Sequence, residues 1–162
     1  MNCRYMTEME VVTAIGVYKY EDLENVDRSL IDEARKATFR AYAPYSKFCV
    51  GAAILLDNGE IITGSNQENV AYPSGTCAER TACFYAHAQF PDAQFKSIAI
   101  AARDTSGEEV AKPISPCGSC RQALLEYEML AKNDIKVILV GRDEIYTLKS
   151  IKSLLPLAFS EF

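Results

Sequence analysis

The chain of 162 residues is long enough for one domain with a sizeable core and leaves little room for a second. Its net charge is −5, and no cluster of lysine or arginine provides the basic face that binding to long nucleic acid requires. No apolar run approaches the roughly 20 residues that cross a bilayer, and the N-terminus lacks a signal-peptide pattern. We therefore expect a cytoplasmic protein that binds neither nucleic acid nor membranes.

The spacing of apolar residues predicts strands and helices that alternate along the chain. An Asn-Gly pair at Asn58 and Gly59 separates two β-prone runs and is typical of a hairpin. The order of elements predicts an α/β fold, a three-layer α-β-α sandwich with a central mixed sheet of about five strands. The predicted elements are a strand at 10–18, a helix at 27–42, strands at 48–56 and 60–64, a loop at 65–76, a helix at 77–89, a strand at 95–102, a loop at 104–115, a helix at 117–131, strands at 136–140 and 145–148, and a short helix at 151–155.

Three of the six cysteines lie where predicted helices begin. Cys77 begins one helix, and Cys117 and Cys120 lie three residues apart on the first turn of another. A helix N-terminus presents free N–H groups and the positive end of the helix dipole, which favour a thiolate over a thiol. A chain with a core and no export signal does not need disulfides, so we interpret these cysteines as metal ligands.

Zinc suits this set of ligands. A catalytic zinc site has three protein ligands and keeps the fourth position for water, whereas a structural site is closed by four protein ligands. Glu79 lies two residues after Cys77, in the first turn of the same predicted helix, so it can reach that water without being a ligand. Cys-x-Glu followed by Pro-Cys-x-x-Cys matches the signature of the zinc deaminases.

The sequence from about residue 30 to 159 resembles the cytidine deaminases of the small, single-domain kind that assemble as homotetramers. The resemblance does not rest on the two zinc motifs alone, because the other matching stretches occur in the same order along the chain. The stretches that carry it are 43–48, 50–53, 66–69, 71–72, 77–82, 115–122 and 154–159.

The resemblance implies hydrolysis of cytidine and deoxycytidine to uridine and deoxyuridine plus ammonia, a reaction of pyrimidine salvage. It implies one Zn²⁺ per chain, bound by Cys77, Cys117 and Cys120, with Glu79 as the catalytic residue that moves protons. A nucleoside is the expected small-molecule partner, and neighbouring subunits of the homotetramer complete each site. The residues implied in substrate binding are Asn66 and Glu68 at the sugar hydroxyls, Phe48 and Tyr72 around the base, the Ala78 N–H and the Ser115 carbonyl, which orient the base, and Phe159 from a neighbouring subunit.

The sequence departs from the common pattern in two ways. Many zinc deaminases have His at the first ligand position, where this chain has Cys77, and a third thiolate should make the metal less acidic. Arg80 matches an arginine that donates hydrogen bonds to the thiolates in the three-cysteine branch, which would restore that acidity. Residues 1–25 precede the usual start of the family, and we interpret them as an N-terminal extension that can add a strand to a catalytic domain at 26–162.

Two other functions are compatible with parts of the sequence. A deaminase for blasticidin-type antibiotics would share the fold and the zinc motifs, but the pair Asn66 and Glu68 and the terminal Phe159 favour a nucleoside. A non-catalytic zinc module would need a fourth Cys or His ligand near the other three, and it would give Glu79 no role.

Overall fold

The computed structural model describes residues 7–160, over which six strands form one mixed sheet. The strand order is β1-β6-β5-β4-β2-β3; β4 and β5 are parallel, and the other neighbours are antiparallel. The strands are β1 (Gly16–Tyr18), β2 (Cys49–Leu56), β3 (Ile61–Ser65), β4 (Phe95–Arg103), β5 (Lys136–Val140) and β6 (Ile145–Leu148), and the α-helices are α1 (Asn25–Ala37), α2 (Ala78–Gln89) and α3 (Gly118–Ala131). Single 3₁₀ turns lie at Tyr20–Asp22, Thr38–Arg40, Tyr72–Ser74 and Ile151–Leu154.

The helices cover both faces of the sheet, which confirms the predicted three-layer fold. On one face α1 buries Leu30, Ile31 and Ala34 against residues of β2, β4 and β5. On the opposite face α2 and α3 pack side by side, with Ala82 of α2 and Leu124 of α3 in the same apolar cluster. None of the helices in the described part of the chain is long and apolar enough to span a membrane.

The N-terminal strand is shorter than predicted, and the sheet has six strands where about five were expected. The prediction covered residues 10–18, but only Gly16–Tyr18 form a strand. These three residues pair with Ile145–Thr147 of β6, which is itself four residues long, and residues 7–15 have no regular secondary structure. A β-rich composition therefore produces a strand only where a neighbouring strand supplies hydrogen-bond partners.

The first helix begins two residues before the predicted start and ends earlier than predicted. The α-helix stops at Ala37, and the chain continues as a 3₁₀ turn to Arg40 instead of reaching residue 42. The Thr38 hydroxyl donates to the Arg35 carbonyl at 2.6 Å, a local bond of the kind that competes with regular helical pairing. The boundaries of the later elements agree with the predicted ones to within one residue.

A glycine in β3 lets α2 lie close to the sheet. A Cβ atom at Gly64 would lie 2.5 Å from the Ala78 carbonyl oxygen and 2.5 Å from the Ala82 nitrogen, both of them backbone atoms of α2. Only a residue without a side chain permits this distance. The first turn of α2, which follows Cys77 and contains Glu79, is thereby fixed against the end of β3.

Candidate active site

Three cysteine sulfurs lie together where α2 and α3 begin. Cys77 and Cys117 are the N-cap residues of the two helices, and Cys120 lies in the first turn of α3. The Cys77 and Cys117 sulfurs are 3.8 Å apart, the Cys117 and Cys120 sulfurs are 3.4 Å apart, and all three lie within 4.8 Å of one another. Zn–S bonds of about 2.3 Å in a tetrahedral site place the sulfurs roughly 3.8 Å apart. The cluster therefore fits a zinc ion.

The electrostatics of the cluster favour a bound cation. A hydrogen bond from Cys120, together with the nearby Arg80 guanidinium, lowers the pKa of the Cys77 thiol to about 5. The same hydrogen bond raises the pKa of the Cys120 thiol. The interaction with Cys77 also raises the pKa of Arg80, and the Arg80 Nε is buried without a hydrogen-bond partner within residues 7–160. The Arg80 guanidinium therefore has an N–H donor available for the deprotonated cysteine sulfurs.

Glu79 is a buried carboxyl group beside the sulfurs. Only 3% of the residue is exposed, and it lies in the first turn of α2, two residues after Cys77. Burial raises the pKa of the Glu79 carboxyl, and the negative charge of Cys77 acts in the same direction. A carboxyl group whose pKa is raised toward neutrality can both accept and donate a proton, which is the property that acid–base catalysis uses.

A cavity of about 530 Å³ opens beside the sulfurs. This volume lies within the usual range for a small-molecule site, roughly 300–1,000 Å³. Its wall includes three of the residues predicted to bind substrate (Asn66, Glu68 and Tyr72), together with the predicted ligand Cys77 and its neighbour Arg80. The remaining lining residues are Tyr45, Ser46, Gln67, Asn69, Gly75 and Thr76.

The other residues predicted to bind substrate do not line the cavity. Ala78 is fully buried at the start of α2, and Ser115 is exposed in the loop that leads to Cys117. Phe48 is partly buried just before β2. Phe159 lies near the C-terminus and is 69% exposed. The single chain therefore brings Asn66, Glu68 and Tyr72 to the cavity and leaves these four residues outside its wall.

Asn66 and Glu68 also hold the loop that precedes β2. The Asn66 side chain accepts a hydrogen bond from the Val50 N–H at 2.8 Å and donates one to the Phe48 carbonyl at 2.9 Å. Glu68 accepts hydrogen bonds from the Tyr45 N–H at 2.9 Å and from the Ser46 hydroxyl and N–H, which lower the pKa of its carboxyl group. An amide and a carboxylate have more hydrogen-bonding sites than these bonds use, so both can still bind hydroxyl groups.

Sequence reasoning missed several cavity residues. Tyr45 and Tyr72 form an edge-to-face pair with ring centroids 6.1 Å apart, and Tyr45 had no assigned role although it lies in the matching stretch 43–48. Gln67 and Thr76 exchange two backbone hydrogen bonds of 2.9 Å, which join the segment next to Asn66 to the residue before Cys77. The sequence could have indicated these residues only because they lie inside or beside stretches that contain predicted site residues.

Three cysteine sulfurs beside a buried carboxyl group, next to a cavity of small-molecule size, define a metal-dependent enzyme site in an α/β sandwich. The model of the family described as "Cytidine and deoxycytidylate deaminase zinc-binding region" matches residues 24–133, a span that contains all three cysteines and Glu79. The chain belongs to this family, which confirms the resemblance found in the sequence and zinc as the cofactor.

Known proteins with similar sequences and structures agree with this assignment. A cytidine deaminase of Sporosarcina psychrophila is 43% identical over 132 residues, which cover 82% of this chain and 90% of the relative. A cytidine deaminase of Halalkalibacterium halodurans is 41% identical over 131 residues, with coverages of 81% and 92%. The crystal structure of cytidine deaminase from Burkholderia pseudomallei is similar with a TM-score of 0.69 and 38% identity, covering 81% of this chain and 97% of that one.

Proposed function

We propose that the chain hydrolyses cytidine and deoxycytidine to uridine and deoxyuridine and releases ammonia, a reaction of pyrimidine salvage. The observation that carries the proposal is the buried Glu79 carboxyl beside the cysteine cluster, one member of which, Cys77, lines a nucleoside-sized cavity. Three cysteines that can hold zinc and a protonatable carboxyl group form one of the arrangements that zinc deaminases use for hydrolytic deamination. The cytidine deaminases to which the chain is similar share most of its length.

Cys77, Cys117 and Cys120 are the residues that would hold the zinc ion. When bound, zinc supplies a Lewis acid that lowers the pKa of a water molecule. Glu79 would take the two protons of the attacking water one after the other, the first as the C4–O bond forms and the second from the new C4 hydroxyl. It would deliver one to N3 of the ring and the other to the amine that leaves as the C4–N bond breaks, so that water and cytidine give uridine and ammonia. Arg80 withdraws charge from the sulfurs by hydrogen bonding, which offsets the excess negative charge of three thiolates.

The remaining residues bind and orient the nucleoside. The Ala78 N–H and the Ser115 carbonyl orient the base, and Asn66 and Glu68 bind the sugar hydroxyls with the hydrogen-bonding capacity that the loop leaves available. Tyr72 and Phe48 provide aromatic surface for the base; Tyr72 lies in the wall of the cavity.

The functional unit in this proposal is a homotetramer. Phe159 is 69% exposed and lies outside the cavity wall of its own chain, which is compatible with a role in a neighbouring subunit's site. Residues 26–162 form the catalytic domain, and residues 1–25, of which 1–6 lie outside the described residues, form the extension. We place the protein in the cytoplasm because a site of three thiolates requires a reducing compartment. Light scattering after size-exclusion chromatography would measure the assembly.

An absorbance assay tests the reaction directly. Zinc-loaded protein is mixed with cytidine, deoxycytidine, cytosine, blasticidin S or a short cytosine-containing single-stranded DNA, and the loss of absorbance of the cytosine chromophore is followed. We expect turnover of the two nucleosides and little with the other compounds. Zinc-loaded, folded protein that leaves both nucleosides unchanged would contradict the proposal, and turnover confined to blasticidin S would assign the site to the antibiotic instead.

A further inference from the structure

The first turn of α3 carries two side chains that bind the C-terminal part of the chain. Arg121 follows the metal ligand Cys120 and donates two hydrogen bonds of 2.8 Å, from Nε to the Pro116 carbonyl and from Nη1 to the Leu154 carbonyl. Gln122, the next residue, donates from Nε2 to the Phe159 carbonyl at 2.8 Å. We call residues 155–160 the C-terminal tail. Arg121 and Gln122 thus bind Leu154, the residue just before this tail, and Phe159 near its end.

The bond to Pro116 acts on the metal site. Pro116 is buried and immediately precedes Cys117, and its carbonyl belongs to the peptide group that leads into this N-cap residue. A guanidinium group is planar and holds its donors in a fixed relation, so the bonds of Arg121 restrict the orientation of that peptide. The direction of the Cys117 side chain depends on this peptide, and Arg121 therefore helps to set the distance between the sulfurs.

The bonds to Leu154 and Phe159 act on the tail. Leu154 ends the last 3₁₀ turn, where the Glu128 carboxylate accepts hydrogen bonds from the N–H groups of Ile151 and Lys152. Beyond Leu154 the tail is largely exposed: Leu157 is 84% exposed and Phe159 is 69% exposed. Leu155 and Ala158 pack partly against the core, so the tail is held by these contacts together with the hydrogen bonds from Arg121 and Gln122.

We propose that Arg121 and Gln122 are positioning residues for deamination, a role that rests on the proposed function. Arg121 joins the peptide before Cys117 to the start of the tail, and Gln122 fixes the tail at Phe159. One helical turn then sets both the geometry of the metal ligands and the location of the aromatic side chain that binds substrate. Arg121 acts on the chemical step through the metal site, whereas Gln122 acts on substrate binding through the tail.

The two residues should therefore affect different measurements. Gln122→Ala removes one hydrogen bond to the tail and leaves Pro116 bound, so we expect KM to rise about fivefold with kcat and zinc release nearly unchanged. Arg121→Ala removes both bonds, so kcat should also fall and zinc should pass to a chromogenic chelator about tenfold faster. Arg121→Lys, which lacks the fork of two donors, should restore only part of either property.

Two of the measurements need no substrate. The sequence contains no tryptophan, so Leu157→Trp places a single fluorescent reporter in the exposed middle of the tail. In this background, Arg121→Ala and Gln122→Ala should both increase quenching by acrylamide and lower the fluorescence anisotropy. Matched controls are Arg142→Ala, whose guanidinium is exposed beside Asp143, and Gln89→Ala at the exposed end of α2.

The experiments distinguish an error in the positioning roles of Arg121 and Gln122 from an error in the proposed function. Quenching and zinc release report on the tail and the metal site even if the protein deaminates no cytosine compound, in which case only the proposed function fails. If the Gln122→Ala and Gln89→Ala variants have the same acrylamide quenching and the same KM, the proposed role of Gln122 is overturned. If the Arg121→Ala variant releases zinc at the same rate as the Arg142→Ala variant, the proposed role of Arg121 is overturned. If Arg121→Ala does not fold, as judged by circular dichroism, Arg121→Lys is compared in its place.

Discussion

The residues proposed to act at the metal and those proposed to bind the substrate are held in place by different forces. We call Cys77, Ala78, Glu79, Cys117 and Cys120 the metal end of the site, and the part of the cavity wall that contains Asn66, Glu68 and Tyr72 the sugar-facing wall, after their proposed roles. At the metal end, Ala78, Glu79 and Cys120 are buried, and the helices that carry them pack on the sheet through the apolar core. In the sugar-facing wall, Glu68 is only partly buried and is held by hydrogen bonds to the loop that includes Ser46. The core therefore positions the groups to which we assign the reaction, whereas hydrogen bonds with the loop position the groups to which we assign substrate selection. Substitutions at the two ends should have separable effects on kcat and on KM.

The largest effect is expected from the metal ligands. Cys120→Ala should abolish zinc binding and lower activity by about 10⁴-fold or more, because no other side chain in the described cluster can replace the sulfur. Zinc content is measured by elemental analysis and activity by the absorbance assay. Cys83→Ala is the matched control: Cys83 is buried in α2, burial raises the pKa of its thiol to about 12, and its replacement should leave the zinc content unchanged. Full zinc occupancy in Cys120→Ala would contradict the assigned ligand set.

The second-largest effect is expected from Glu79→Gln, which tests proton transfer separately from metal binding. Glu79→Gln preserves the size of the side chain and removes its ability to transfer protons, so kcat should fall about 10³- to 10⁴-fold. Zinc content and the affinity for a uridine product should stay close to the values of the unmodified protein, since three sulfurs hold the metal without the carboxyl group. Loss of zinc together with activity would show that the carboxyl group holds the metal instead of moving protons.

Local sequence patterns predicted most of the fold and the metal end of the site. Strands β5 and β6 were predicted to the residue because each is a short run of mainly β-prone residues and the turn-forming residues 141–144 separate the two runs. The three cysteines were predicted because each lies at a helix N-terminus, a position that is defined by neighbours in the sequence. The first strand was too long in the prediction because its end is set by β6, which lies near the other end of the chain.

The sugar-facing wall could be predicted only in part, because its members meet through contacts between distant segments. Tyr42 and Gln67 form an isolated β-bridge, which brings the loop containing Tyr45 next to Tyr72. The periodicity of apolar residues in helices and strands does not predict a contact between two loops. The same holds for Arg121, whose bond to Leu154 spans 33 residues and left no signal in the spacing of apolar residues. Asn66, Glu68 and Tyr72 could be predicted only through the resemblance to the family.

The third effect tests how the sugar-facing wall is held. Glu68→Ala removes a carboxylate that accepts three hydrogen bonds from Tyr45 and Ser46, so KM should rise about 10- to 100-fold while kcat changes much less. Ser46→Ala removes one of these bonds and leaves the carboxylate, so we expect an increase of only about threefold. Steady-state kinetics with cytidine measure both values, and Glu60→Ala at the exposed β2–β3 hairpin is the control. Equal effects of Glu68→Ala and Ser46→Ala would mean that Glu68 only supports the loop.

The smallest effect on activity is expected from a substitution at the contact between β3 and the first turn of α2. The same substitution should have a clear effect on stability. Gly64→Ala places a methyl group 2.5 Å from backbone atoms of α2, so α2 must move away from β3. Such overpacking costs about 1–3 kcal/mol, which lowers the midpoint of thermal unfolding by roughly 2–10 °C for a protein of this size. Gly118→Ala is the matched control, because the added Cβ would meet no atom within 4 Å apart from its chain neighbours and the backbone of its own helix, and alanine favours the helix. Calorimetry of the zinc-loaded proteins measures both midpoints. If Gly64→Ala unfolds at the temperature of Gly118→Ala, the contact between β3 and α2 does not hold the metal end, and the difference between the two ends of the site must have another origin.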